Sequence, residues 1–145
     1  MLPEEEYLAG VGRAVYCVAY TEWLVIEVVR RLDPNASIAR LAGRTTGQIA
    51  DHFATAVEHA PIAVALQANL RPIAADWKQL VSLRNDVVHA RPATDPQGRQ
   101  RLYRWAPKAN SRFVTEAVLA DLSAKALEIS ARLSPLRGQL PPAPP

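Results

Sequence analysis

The spacing of apolar residues predicts a chain built mostly of helices. Apolar positions recur at three- and four-residue steps in four long segments and in one short segment. The long segments span about 4–32, 45–60, 72–89 and 115–133, and the short one surrounds Ile38 and Leu41. We therefore predict an all-α fold, an up-and-down bundle of four to five helices.

The stretch from 91 to 108 lacks this helical periodicity. Within it, Asp95-Pro96-Gln97-Gly98 has the composition of a turn, with proline second and glycine fourth. We predict a short hairpin or loop there, before the last helix. Residues 62–70 either continue the second long helix after a kink or form a short helix of their own, and Pro72 is predicted to open the third long helix.

The first long segment is apolar on nearly every side between residues 11 and 29. A helix of that kind is buried on most sides, so we predict a homodimer in which a second subunit covers one of them. Three charged residues interrupt the run, which argues against a membrane span. Arg13, Tyr20 and Glu27 are spaced by seven, and two interpretations of them are open. They form a solvated stripe, or they face Arg84, with Glu27 as its ion-pair partner.

Length and composition indicate one domain. We place it in residues 1–138, with 139–145 as a Pro-rich disordered tail. A net charge of +3 and a pI near 9.4 permit a polyanionic partner without requiring one. The single cysteine, Cys17, excludes an intramolecular disulfide and fits a reducing cytoplasm.

The third long segment carries a charge inside its apolar stripe. Arg84 lies four residues after Leu80 and four before Val88. An unpaired buried charge is very costly, so this guanidinium must have a partner or a wet cavity. Asn85 and His89 are four apart and share an adjacent face. One interpretation is structural: Arg84 pairs with a carboxylate of another helix, and His89 is an ordinary histidine favoured by the helix dipole.

The other interpretation comes from the motif Arg84-Asn85-x-x-x-His89. It resembles the signature of the HEPN superfamily (higher eukaryotes and prokaryotes nucleotide-binding domain), an Arg followed after four to six residues by a His, commonly with Asn, Asp or His next to the Arg. The place of the motif, near the end of the third long helix of a small helical chain, is similar to the family's. The resemblance covers only the motif and the helical layout.

The resemblance implies a HEPN-like bundle that forms a homodimer, with two Arg–His motifs facing each other across one cleft. It implies a metal-independent endoribonuclease of toxin or defence type, with Arg84, Asn85 and His89 as catalytic residues and an antitoxin protein as a possible partner. It also implies an alternative, a non-catalytic module that binds RNA, a nucleotide or a partner such as a nucleotidyltransferase. A helical dimer without any nucleic-acid role is the third interpretation.

The segment after the motif is basic and aromatic. Between residues 91 and 112 there is one acid, Asp95, against six basic residues: Arg91, Arg99, Arg101, Arg104, Lys108 and Arg112. Tyr103 and Trp105 are interleaved with them. Such a mixture suits single-stranded RNA, through phosphate neutralisation and base stacking. We predict RNA contacts from Arg91, Arg99, Arg101, Tyr103 and Arg104; the alternative is a solvated hairpin whose aromatic rings pack on the body of the protein.

The sequence contains no other pattern typical of a catalytic site. There is no Gly-rich phosphate loop and no nucleophilic serine elbow. His52 and His59 are seven apart, which is not a metal-ligand spacing on a helix, so we predict neither a metal nor a cofactor. A histidine beside a fixed cation suits RNA cleavage by the RNA's own 2′-hydroxyl.

Overall fold

A computed structural model describes residues 1–107 and 110–145, so Lys108, one of the six basic residues, lies outside the described residues. The described part contains five helices and three strands. The helices are α1 (Glu5–Leu32), α2 (Ile38–Ala42), α3 (Thr46–His59), α4 (Val64–Val88) and α5 (Glu116–Arg137), and the strands are β1 (Arg91–Thr94), β2 (Gln100–Arg104) and β3 (Arg112–Val114). The prediction of a mostly helical chain is confirmed, but all-α is not fully correct, because a small sheet follows α4.

Local signals account for where the helices begin. The Thr45 hydroxyl accepts the N–H of Gln48 at 3.2 Å, and the Gln48 side chain accepts the N–H of Thr45 at 3.0 Å, a complete capping box for α3. Ser37 caps α2 and Thr115 caps α5 in the simpler way, through one side-chain oxygen each.

Helix α4 differs from the prediction because it starts at Val64 and carries Pro72 in its interior. A proline there lacks the N–H that would bond to the preceding turn, and its ring crowds that turn. Leu66 and Leu70 before the proline and Ile73 after it are all buried. Burial of these apolar side chains outweighs the cost of the proline, so one helix replaces the predicted break.

The helices share one apolar core. Helix α1 packs on α3 and α5, α3 packs on α4, and α4 packs on α5. The largest fully buried side chains are Trp77, Tyr7 and Phe53. The proline-rich tail also contacts this body: Leu140 is buried, and the Arg30 guanidinium donates to the Pro144 carbonyl at 3.0 Å. The tail therefore contacts the helical body at Leu140 and Pro144.

The three strands form an antiparallel sheet in the order β1-β2-β3. The turn between β1 and β2 follows the predicted sequence, with Gly98 at φ +81°, a conformation that glycine adopts easily. Tyr7 of α1 joins the sheet to the helices. Its hydroxyl donates to the Val114 carbonyl at 2.8 Å and accepts the N–H of Leu102 at 3.0 Å. Since Leu102 and Val114 are partners in the register of β2 and β3, the hydroxyl bridges the two strands.

Replacing Tyr7 with Phe should destabilise the fold by about 1–3 kcal/mol, because a buried N–H and a carbonyl then lose their partner. Chemical denaturation monitored by circular dichroism measures this free energy of unfolding. Ser82→Ala is the control, because it also removes one hydroxyl, but from an exposed residue of α4. Equal stability of the two variants would contradict a structural role for the bridging hydroxyl.

Candidate functional site

The motif residues lie at the C-terminal end of α4. Arg84 is half-buried, and its Nη1 donates to the Asn85 side-chain oxygen at 3.1 Å. His89 is the C-cap residue, and its backbone N–H bonds to the Asn85 carbonyl at 3.1 Å. The imidazole is exposed and makes no hydrogen bond to the residues that the structure describes. The structure thus joins Arg84 to Asn85 through their side chains, and His89 to Asn85 only through the backbone.

Helix α4 ends here for local reasons. Arg91 precedes Pro92, and the residue before a proline avoids the helical region of backbone conformation. Ala90 is buried and leads directly into β1. The chain therefore leaves the helix at His89, which places that ring on the surface beside the first strand.

Arg84 lines a small cavity of about 80 Å³ between α1 and α4. Glu22 lines the same cavity, and its Oε1 is buried with no hydrogen-bond partner among the described residues. Within residues 1–107 and 110–145, no carboxylate lies within 4.0 Å of the Arg84 guanidinium. Glu27 pairs instead with Arg137, so the alternative in which Glu27 is the ion-pair partner of Arg84 is wrong. Arg84 therefore forms no ion pair within the described chain, although the Glu22 carboxylate lines the same cavity.

An exposed apolar face of α1 borders this cavity. Val15, Tyr16, Tyr20 and Trp23 lie on one side of the helix, and each side chain is about half exposed or more. Val15 also lines the cavity, together with the partly exposed Val88 of α4. The apolar surface of α1 is therefore continuous with the motif. Within one chain this face of α1 is exposed, whereas residues 24–29 are buried apart from the half-buried Glu27.

The predicted basic residues have different surroundings. Arg91 is exposed on β1, with no carboxylate within 4.0 Å in the described part of the chain. Arg99 donates from Nε to Asp95 at 2.8 Å within the turn. Arg104 lies 3.6 Å from Asp86 of α4, which also accepts a 2.6 Å hydrogen bond from Arg112. Much of the predicted positive charge is therefore neutralised by nearby carboxylates.

Arg101 is buried, in contrast to the surface position that an RNA contact needs. Its guanidinium donates to Glu4 at 2.5 Å and to Glu116 at 2.6 Å, and it lies 4.5 Å from the centre of the Tyr7 ring. Hydrogen bonding from the Glu4 backbone and then from Arg101 lowers the pKa of the Glu4 carboxyl. Arg101 thus ties the sheet to the N-termini of α1 and α5, and its guanidinium is occupied by these two carboxylates.

The aromatic residues of the sheet form a cluster. The Tyr103 ring packs edge-on against Trp105 at 4.6 Å between centroids and against Phe113 at 4.7 Å. Tyr103 is half-buried, whereas Trp105 remains 66% exposed. The rings pack on one another, and the Trp105 indole is left largely open to solvent.

The His52 imidazole has two charged side-chain partners that the sequence pattern did not predict. It is half-buried between the Arg44 guanidinium, 2.7 Å from its Nδ1, and the Asp33 carboxylate, 2.8 Å from its Nε2. The hydrogen bond from His52 lowers the pKa of Asp33. The periodic pattern of α3 carried no signal for this link, which joins the end of α1 to α3. His59 is exposed and bonds to the Thr55 carbonyl in its own helix.

A larger cleft of about 470 Å³ opens between α4 and α5, away from Arg84 and His89. Its charged side chains pair with one another: Arg132 with Asp76 at 2.6 Å, and Arg112 with Asp86 at 2.6 Å. Because these charges are already matched, the cleft offers less to an ionic ligand than its size suggests. It contains none of the predicted catalytic residues.

Comparison with protein-family models, curated proteins and solved structures finds no match. Among residues 1–107 and 110–145, no group of three or more His, Cys, Asp or Glu side chains is placed to hold a metal ion. In the same described residues, no helix is long and apolar enough to cross a membrane. The resemblance to the HEPN superfamily therefore rests on the motif and the helical layout.

Replacing Arg101 with Ala should lower the melting temperature by several degrees, because the Glu4 and Glu116 carboxylates lose the cation that joins them. Thermal denaturation measures the effect. Arg91→Ala is the control, since Arg91 is an exposed arginine of the same sheet, and substitutions at such positions usually change stability little. If the two variants melt at the same temperature, the structural role of Arg101 is refuted.

Proposed function

We propose that this protein is a metal-independent endoribonuclease of toxin or defence type. The observation that carries the proposal is that Arg84 has no carboxylate within 4.0 Å in the part of the chain described. Its guanidinium is half-buried and donates a hydrogen bond to Asn85. An arginine that forms no ion pair with a protein carboxylate is suited to a phosphate, which it binds through two parallel hydrogen bonds. His89 lies five residues further on, with its ring exposed.

In the proposed reaction, His89 acts as the base. It removes the proton from a ribose 2′-hydroxyl, and the resulting oxygen attacks the adjacent phosphorus. The bond from phosphorus to the 5′-oxygen breaks, which leaves a 2′,3′-cyclic phosphate on one fragment. The 5′-oxygen takes a proton from water and becomes the 5′-hydroxyl of the other fragment, and protonated His89 returns its proton to the solvent. Arg84 stabilises the negative charge that builds on the phosphoryl oxygens. Asn85 positions the Arg84 guanidinium through its side-chain oxygen.

We further propose that the active form is a homodimer built on the exposed face of α1. Val15, Tyr16, Tyr20 and Trp23 supply the apolar surface, which reaches the Arg84 cavity. A second copy packed on this face would bring two motifs together. A stable interface of this kind buries on the order of 1,000 Å² or more.

The competing proposal is a non-catalytic module that binds RNA, a nucleotide or a partner protein. The observation in its favour is that no described side chain hydrogen-bonds to the His89 imidazole. Catalytic bases are commonly oriented by a third group, which holds the ring and selects its tautomer. In this alternative the apolar face of α1 binds a different protein, such as a nucleotidyltransferase antitoxin. Both proposals place the protein in the cytoplasm, where the free Cys17 remains reduced.

The purified protein should cleave RNA in the presence of EDTA, because side chains supply both the base and the cation. DNA of the same sequence should stay intact, because it lacks the 2′-hydroxyl. Gel electrophoresis of end-labelled strands, with enzymatic analysis of the ends, should show a 2′,3′-cyclic phosphate. His89→Ala should reduce the rate by roughly 10²–10⁴-fold.

Arg84→Lys is the control for charge at the site. It keeps the positive charge but loses the planar guanidinium, so it should remain strongly impaired. His59→Ala is the matched histidine control, because His59 is also exposed and lies on another helix. Rapid cleavage by a folded His89→Ala protein, or a strict need for added magnesium, would refute the mechanism. Binding of RNA without cleavage would support the competing module.

Tyr20→Glu should convert the dimer into a monomer and reduce RNA cleavage, because it places a charge within the proposed apolar interface. Sedimentation velocity at micromolar concentration measures the oligomeric state. Val64→Glu is the control: Val64 is 80% exposed, but it lies at the far end of α4, about 36 Å along the helix from Val88. A wild-type protein that sediments as a monomer would exclude the composite site.

A further inference from the structure

The sheet that follows α4 carries a row of side chains beside the motif. Arg91 of β1 is the register partner of Tyr103 in β2, and Tyr103 is the partner of Phe113 in β3. Register partners project from the same face of a sheet, and Trp105 shares that face because it lies two residues after Tyr103. We call Arg91, Tyr103, Trp105 and Phe113 the aromatic row.

We infer that the aromatic row binds an unpaired nucleotide next to the cleaved bond, so that single-stranded RNA is the substrate. The inference deepens the proposed endoribonuclease and rests on it for the position of the cleaved bond. It assigns base stacking to Trp105 and phosphate binding to Arg91.

The first support is the exposure of the Trp105 indole. Trp105 is 66% exposed, although exposure of a large aromatic side chain leaves apolar surface in water. Its ring is supported at its edge by Tyr103, which in turn packs on Phe113. A supported and exposed ring is suited to stacking with a base, and every base offers a flat face for that purpose.

The second support is charge. Asp95 pairs with Arg99, and Asp86 pairs with Arg104 and Arg112. Arg91 has no such partner within 4.0 Å among the residues described, so its charge is available to a phosphate. Among the arginines of the described sheet and its turn, Arg91 is therefore the one without a carboxylate partner within 4.0 Å, and it belongs to the same row as the exposed indole.

The third support is position. Arg91 follows His89 by two residues, a separation of at most about 7 Å along the chain. A nucleotide held at Arg91 and Trp105 is thus close to the proposed base. Bases within a duplex are already stacked on their neighbours and cannot lie on the indole, whereas unpaired bases can. The row therefore selects single strands.

The test uses the His89→Ala protein, so that the RNA stays intact, with a fluorescein-labelled uridine 12-mer and a duplex RNA of equal length as probes. Fluorescence anisotropy gives the two affinities. In this protein, the additional substitution Trp105→Ala should weaken binding of the single strand by about 5- to 100-fold, with little change in the affinity for the duplex. Trp105→Phe should restore most of the affinity. Arg91→Ala should weaken binding and reduce its salt dependence, whereas Arg40→Ala, at an exposed arginine of α2, should do neither.

Tryptophan emission gives a second measurement, which a merely structural role of Trp105 would not change. The unlabelled 12-mer should quench emission of the His89→Ala protein, and Trp105→Phe should remove that quenching. Quenching that persists without Trp105, an equal loss of affinity for both probes, or no binding of either probe would overturn the inference. If the native protein cleaves no RNA while Trp105-dependent binding holds, catalysis fails and the binding site stands. If the native protein cleaves RNA but loss of Trp105 changes neither the affinity for the single strand nor the quenching, the proposed endoribonuclease stands and the role of the aromatic row is refuted.

Discussion

The contact of Tyr7 and Arg101 determines where the sheet lies on the helices. The Tyr7 hydroxyl bridges β2 and β3, and the Arg101 guanidinium lies over the Tyr7 ring while it binds Glu4 and Glu116. A three-stranded sheet of this size has little core of its own and needs packing against other elements. These bonds attach it to the starts of α1 and α5. The position of Arg91 and Trp105 beside the end of α4 depends on that attachment.

The distribution of charge separates the residues that build the fold from those that remain open to a ligand. Arginines 99, 101, 104, 112, 132 and 137 each have a carboxylate partner. Arg84 and Arg91 lack one within the described residues, and they lie on either side of His89 in the sequence. These two arginines therefore flank the proposed base at the end of α4, where both proposals place the RNA. Five arginines elsewhere in the described chain also have no carboxylate within 4.0 Å: Arg13, Arg30, Arg31, Arg40 and Arg44.

Several features of the fold follow from neighbouring residues and were predictable for that reason. The capping box at Thr45, the turn after Asp95 and the end of α4 before Pro92 depend on groups a few residues apart. The continuity of α4 through Pro72 was not predictable in this way. Its local signal favours a break, whereas burial of Leu66, Leu70 and Ile73 in the common core favours one helix.

The sequence by itself determined the helical periodicity, the composition of the segment after α4 and the spacing of Arg84, Asn85 and His89, because each is a property of nearby positions. Only the tertiary structure decided which charges have partners far away in the sequence. Arg101 and Glu4 are 97 residues apart, and Glu27 and Arg137 are 110 apart. No periodic pattern encodes such pairs, since they depend on how helices and strands pack. The packing buried Arg101 and left Arg84 and Arg91 without a carboxylate in the described chain.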